Sequence, residues 1–91
     1  FYYHKIGHWL GLDVHDDCPY SIDGEDVKFE ENMIMTIEPG IYVNETASID
    51  DKWKGIGIRI ENDILTTKNG FENLTPQVPV EIDEIEQLMQ D

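Results

Sequence analysis

The sequence predicts an α+β fold, an antiparallel sheet of short strands with flanking helices, and three observations carry that prediction. The stretch "GIGIRIE" alternates strictly: Ile56, Ile58 and Ile60 fall on one face and Gly57, Arg59 and Glu61 on the other, because strand side chains point to opposite faces in turn. The closing segment "VEIDEIEQLMQD" instead carries Ile82, Ile85, Leu88 and Met89 at helical spacing, with acids crowded into its first turns, where the helix dipole favours them. Between these patterns, clusters of Pro, Gly, Asn and Asp mark turns.

Taken in order, residues 1–9 read as the end of a helix, with Tyr3, Ile6 and Leu10 at helical spacing and Gly11 as its stop. "GLDVHD" alternates Leu12 and Val14 and predicts a short strand, while 16–32 mix Asp, Pro, Gly and Ser and predict a loop. "MIMTIE" is a strand, stopped by Pro39-Gly40 and resumed as "IYV". A polar excursion over 44–55 leads to "GIGIRIE", whose isoleucine face is expected to be buried. "DILTT", the tight turn "KNG" and "FENLT" predict a hairpin, and Pro79 opens the final helix. No repeat or low-complexity tract divides the chain, so residues 1–91 read as one unit.

Bulk properties bound the function. A chain of 91 residues is expected to bury about 60–65% of the surface it exposes when unfolded. It begins at Phe1, in the middle of dense apolar sequence, which predicts that it was cut from something longer. Twenty acidic residues against six basic ones give a formal charge of −14, which argues against nucleic acid and against an anionic membrane face as partners. No apolar run approaches the roughly 18 residues of a membrane helix. The single cysteine, Cys18, excludes an internal disulfide and fits a reducing compartment; it reads as an inert loop thiol rather than a nucleophile. Asn44-Glu45-Thr46 and Asn73-Leu74-Thr75 match the glycosylation tripeptide and are read as loop chemistry.

All three histidines, His4, His8 and His15, lie within "HKIGHWLGLDVHD". His4 and His8 stand four apart, as in zinc proteases, but Lys5 occupies the place of the glutamate those enzymes need, so that reading fails. The pair is then either incidental or a ligand pair. Glu38, at the edge of a Pro-Gly turn, either caps the turn and faces solvent or is a ligand projected by rigid backbone. Glu61 poses the same choice, with Gly57 clearing its face for a close approach. Arg59 beside it is either a salt-bridge partner or, with Glu61, part of a substrate site. Imidazole nitrogen and carboxylate oxygen without a thiolate pattern suit manganese, cobalt or zinc.

Three blocks in order, "HKIGHWLGLDVHD", "MTIEPGIYV" and "GIGIRIENDILTT", followed by "GFENLT" and "EIEQLM", resemble the signature blocks of the pita-bread metallopeptidases of family M24, and within it the Xaa-Pro aminopeptidases (aminopeptidase P). The resemblance covers nearly the whole chain. It implies the C-terminal half of a pita-bread (creatinase/aminopeptidase-like) catalytic domain over 1–91, from a cytoplasmic enzyme that removes an N-terminal residue linked to proline. It also implies two divalent metals, most typically Mn2+ with Co2+ or Zn2+ as alternatives, held by His8, Glu38, Glu61 and two aspartates upstream of Phe1. Glu38 is implied as ligand and as base for the attacking water, Glu61 as the bridge between the ions, His4 and His15 as substrate-lining groups, and Arg59 as the group orienting Glu61 or substrate. Of the two histidines, the resemblance implies His15 rather than His4 as the group that holds the scissile carbonyl or assists the departing proline nitrogen.

The chain departs from the family pattern in two places: Lys5 stands where glycine is usual, and Glu31-Asn32 replaces a Pro-Gly pair, with asparagine able to supply a left-handed backbone. The resemblance leaves prolidase and a non-catalytic pita-bread binding module as alternatives. Without the upstream aspartates, residues 1–91 alone are expected to bind metal weakly or not at all, to lack activity, and to pair into a homo-oligomer through exposed sheet edges.

Overall fold

In a computed structural model, which describes residues 1–90, the chain forms seven short strands and one α-helix. The strands are β1 (Ser21–Ile22), β2 (Glu25–Asp26), β3 (Ile34–Ile37), β4 (Gly40–Tyr42), β5 (Gly57–Arg59), β6 (Asn62–Thr67) and β7 (Gly70–Asn73); the helix α1 spans Ile82–Leu88. β1 and β2 form a small hairpin inside the expected 16–32 loop, turning through Asp23 and Gly24, both left-handed at φ 52° and 81°.

The organising element is a long antiparallel ribbon. β3 pairs with β6 and β4 with β5, and the register runs Ile34↔Leu65 to Ile37↔Asn62 and again Gly40↔Arg59 to Tyr42↔Gly57. The offset is the same on both sides of the break at Pro39, so Glu38 and Glu61 come to stand opposite each other where the pairing is interrupted. Proline cannot donate to the ladder and opens it there, yet Ile60 N–H still reaches the Pro39 carbonyl at 3.1 Å. The two-residue turn Lys68-Asn69 returns β6 into β7, completing the order β3-β6-β7 and the expected hairpin.

The first ten residues are not the end of a helix. They lie extended along the free edge of β3, with Trp9 bridged to Met35 and hydrogen bonds from Leu10 N–H to the Ile34 carbonyl, from Thr36 N–H to that of His8, and from Glu38 N–H to that of Ile6. Tyr3 and Ile6, three apart, fit only the helical period, whereas Ile6 and Leu10, four apart, fit a period of two as well, so the helical pattern was short and weak. The backbone groups of β3 then selected the strand-like form, since they would otherwise be unpaired. "GLDVHD" is likewise no strand: residues 11–15 form a run of bends with Leu12 wholly exposed. Gly11 N–H bonds to the Asp13 carbonyl and Asp16 N–H to that of Trp9, closing the segment on itself. Asn32 has a φ of 70°, the left-handed geometry expected of it.

The core is small. Trp9 is the buried apolar side chain among the described residues, 8% exposed, stacked on Tyr20 at 5.8 Å and edge-on to Phe29, with its indole N–H donated to the Pro19 carbonyl. The isoleucine face of "GIGIRIE" is not buried; Ile58 is 60% exposed. Among the described residues α1 is the α part of the expected α+β fold, and Ile82 and Leu88 on it and Met89 at its C-cap face solvent. The accessible surface is 7641 Å², against about 5,400 Å² for a compact domain of this size, so roughly half rather than 60–65% of the unfolded surface is buried. The radius of gyration, 16.7 Å, exceeds the roughly 12 Å of a compact chain of this length for the same reason. Among the described residues no helix is long and apolar enough to cross a membrane.

Candidate metal and substrate site

Because side chains alternate along strands, the ribbon puts Glu38, Gly40 and Tyr42 on the same face as Gly57, Arg59 and Glu61. The N-terminal segment adds His8 and His4 to this face. His8 Nε2 lies 3.3 Å from Glu38 Oε2, and the two side chains are 18% and 13% exposed. His8 is held from two directions: its N–H donates to the Oγ1 of Thr36, which is 2% exposed, and its ring Nδ1 lies 2.9 Å from the Trp9 carbonyl. A carbonyl only accepts, so Nδ1 carries a proton and the ring is turned with Nε2 toward Glu38, the orientation a metal ligand requires.

Glu38 and Glu61 are a like-charge pair directly across an antiparallel ladder, an arrangement that is unfavourable by itself. The Glu61 carboxyl titrates above the usual carboxylate range: lost hydration is the largest cause, then the charges of Glu38 and Asp63 and a hydrogen bond with Glu38, with Arg59 opposing. Among the described residues no three His, Cys, Asp or Glu side chains close around one point; His8, Glu38 and Glu61 form a row centred on Glu38. Imidazole nitrogen and hard carboxylate oxygen in a row, with facing negative charges to be offset, fit one wall of a site for divalent cations.

The His15 ring stands 4.4 Å from that of His8, at the exposed end of the row. Arg59 Nε–H donates to the Tyr42 hydroxyl at 2.9 Å, and its guanidinium titrates above its ordinary value, first through that bond to Tyr42 and then through the charges of Glu38 and Glu61, with lost hydration opposing. His4 Nε2 lies 2.7 Å from the same hydroxyl. The structure thus brings all six sequence-derived residues to one face. It also adds Tyr42, which sequence reasoning missed although alternation from Glu38 placed it there, and Thr36, whose buried hydroxyl orients His8.

Gly57 has a different purpose from the one its sequence context suggested. A Cβ there would lie 2.9 Å from the Tyr42 ring, and one on Gly40 2.6 Å from the Tyr42 hydroxyl. Both glycines clear space for a tyrosine of this chain. Cys18, outside the site, is exposed and donates its thiol proton to Asp16 Oδ2 at 3.3 Å. That bond, slight burial and the charges of Asp16 and Asp17 raise its pKa, in keeping with an inert thiol.

Known structures superpose closely on this architecture. An aminopeptidase of Pseudomonas aeruginosa matches with a TM-score of 0.92 at 51% identity, over 98% of this chain and 20% of that one. Aminopeptidase P of Escherichia coli, solved with the inhibitor Pro-Leu and again zinc-substituted with product, matches with a TM-score of 0.89 at 46% identity over the same shares. The fold is the pita-bread α+β type. The description of metallopeptidase family M24 fits residues 1–68, and the chain belongs to that family. A Xaa-Pro aminopeptidase of Haemophilus influenzae is 51% identical over 89 residues, 98% of this chain and 20% of that protein. The chain therefore spans about a fifth of the length of the relatives it matches.

Proposed function

We propose that residues 1–91 are the C-terminal part of the catalytic domain of a metal-dependent Xaa-Pro aminopeptidase, which hydrolyses the bond between an N-terminal residue and a following proline. The observation that carries this reading is the row His8, Glu38 and Glu61 on one sheet face, gathered from three separate segments by a single register. The similarity to Xaa-Pro aminopeptidases supports the substrate class.

His8 Nε2 and the carboxylates of Glu38 and Glu61 would hold two divalent cations, manganese by preference, together with aspartates from the rest of the protein. When bound, such cations supply the positive charge that makes water acidic enough to attack a peptide carbonyl at neutral pH. Glu38, at the centre of the row, takes the proton from the attacking water, and its ladder position fixes where that proton goes. Glu61 completes the carboxylate pair opposite it. His15, beside His8 and open to solvent, supports the scissile carbonyl or the departing proline nitrogen. Arg59 is held on this face by Tyr42 and orients Glu61 or the peptide. Lys5, a departure from the family pattern, leans its ammonium over the Tyr20 ring at 5.0 Å and away from that role.

The same reading puts the enzyme in the cytoplasm, where the lone thiol of Cys18 is at home, and has residues 1–91 alone pair into a homo-oligomer through exposed sheet edges, of which β7 offers one. The test is an assay of the full-length protein on peptides with proline in second position, before and after chelation and manganese return. Expected are cleavage that depends on metal and its loss in Glu38→Gln. Cleavage restricted to Xaa-Pro dipeptides would make the protein a prolidase, and no cleavage of either a binding module.

A further inference from the structure

Tyr42 is the junction of a chain of hydrogen bonds whose direction can be worked out from donor and acceptor chemistry alone. At one end, Arg59 Nε–H can only donate, and it meets the Tyr42 oxygen at 2.9 Å. At the other end, His4 Nδ1 lies 2.8 Å from the Lys5 carbonyl oxygen, which can only accept, so Nδ1 carries a proton. Between them, Tyr42 Oη and His4 Nε2 are 2.7 Å apart. If Nε2 also carried a proton, the tyrosine oxygen would accept from two sides and its own proton would lack a partner here. Every donor meets one acceptor only when Tyr42 donates to a bare Nε2.

We propose that Tyr42 is a positioning residue that locks His4 as the Nδ1–H tautomer, with both ring nitrogens engaged inside the protein, so that His4 offers substrate a ring face and no proton. The packing supports a fixed geometry. The His4 and Tyr42 rings meet edge to face at 5.3 Å, Gly40 and Gly57 leave room for the tyrosine and nothing larger than hydrogen, and Tyr42 N–H is tied to the Phe1 carbonyl at 2.9 Å. The three imidazoles of the site then divide the work by hydrogen bonding. His8 is turned by the Trp9 carbonyl to present Nε2, His4 is closed on both sides, and His15 makes no hydrogen bond among the described residues, which leaves it open to the peptide. The catalytic part of this inference rests on the proposed aminopeptidase reading, whereas the tautomer does not.

The experiment has two arms in the full-length protein. The first is long-range 1H–15N correlation on protein carrying 15N-histidine and loaded with diamagnetic zinc, with His4 assigned by the loss of its signals in His4→Ala. A protonated Nδ1 and an unprotonated Nε2 at neutral pH are expected, with averaging between tautomers in Tyr42→Phe. A protonated Nε2 in the parent protein would overturn the proposal. The second arm is a double-mutant cycle on a Xaa-Pro peptide. Tyr42→Phe loses its bond to Arg59 in either background, so the cycle reads the difference: kcat/KM is expected to fall about tenfold further when His4 is present than in His4→Ala, the scale of one lost hydrogen bond. Additive losses would mean that Tyr42 does not act through His4, and would also overturn it. A parent protein that cleaves no such peptide sinks the aminopeptidase reading, while the first arm still decides the tautomer.

Discussion

Replacing Gly40 by alanine is the sharpest perturbation of the site that leaves every functional side chain in place. Gly40 does not occupy the left-handed region, so alanine meets no backbone penalty, and the whole effect comes from one methyl group. That methyl would lie 2.6 Å from the Tyr42 hydroxyl, 2.9 Å from its Cζ and 3.0 Å from His4 Nε2, where ordinary contact begins at 3.4 Å. The hydroxyl must retreat by about 0.8 Å. It is pinned between His4 at 2.7 Å and Arg59 at 2.9 Å, so such a shift breaks at least one of these bonds. Overpacking costs about 1–3 kcal/mol and a lost hydrogen bond about 1 kcal/mol, while the stiffer unfolded chain returns about 0.4–1 kcal/mol. The net expectation is a destabilisation of about 1–3 kcal/mol, with kcat/KM on Xaa-Pro peptides lowered by roughly tenfold or more as Arg59 and His4 lose register.

Gly70 supplies the internal control. It also begins a strand, also lies outside the left-handed region, and has nothing within 4 Å of an added Cβ. Gly70→Ala is expected to be neutral or stabilising by up to about 1 kcal/mol. The assay is the urea midpoint of the full-length variants together with steady-state kinetics. Equal midpoints and equal kcat/KM for the two alanine variants would refute the reasoning that these glycines differ only in what stands above them.

Two further expectations concern groups around the site. The Cys18 thiol, raised by its bond to Asp16 and by the neighbouring charges, has less thiolate at a given pH; alkylation by iodoacetamide should shift to higher pH than for free cysteine, and Asp16→Asn should shift it back. Identical rate profiles for the two proteins would remove Asp16 as the cause. Residues 1–91 expressed alone, with three donors in a row and no enclosing group among the described residues, should give no heat of tight manganese binding in calorimetry and should scatter light as a dimer; micromolar affinity, or a monomer, would contradict the respective expectation.

The strands of the ribbon, the β6–β7 hairpin and the C-terminal helix were legible in the sequence because their patterns are local: period two between turn residues, or period 3.6 after a proline. The block order was legible too and pointed to the family, and the candidate donors His8, Glu38 and Glu61 were named through that resemblance. Residues 1–10 misled because Tyr3, Ile6 and Leu10 keep a helical spacing over only about two turns, a weak local pattern. Their form was decided by β3, whose unpaired edge lies more than twenty residues away in sequence. The isoleucine face misled for a related reason: alternation says which residues share a side and nothing about what covers that side, and here Ile58 faces solvent. Only the tertiary structure could set Glu38 opposite Glu61, lay the Tyr42 ring over Gly40 and Gly57, and close both nitrogens of His4. Each of these depends on the register between strands, a long-range choice in which a slip of one residue would send the same side chains to opposite faces.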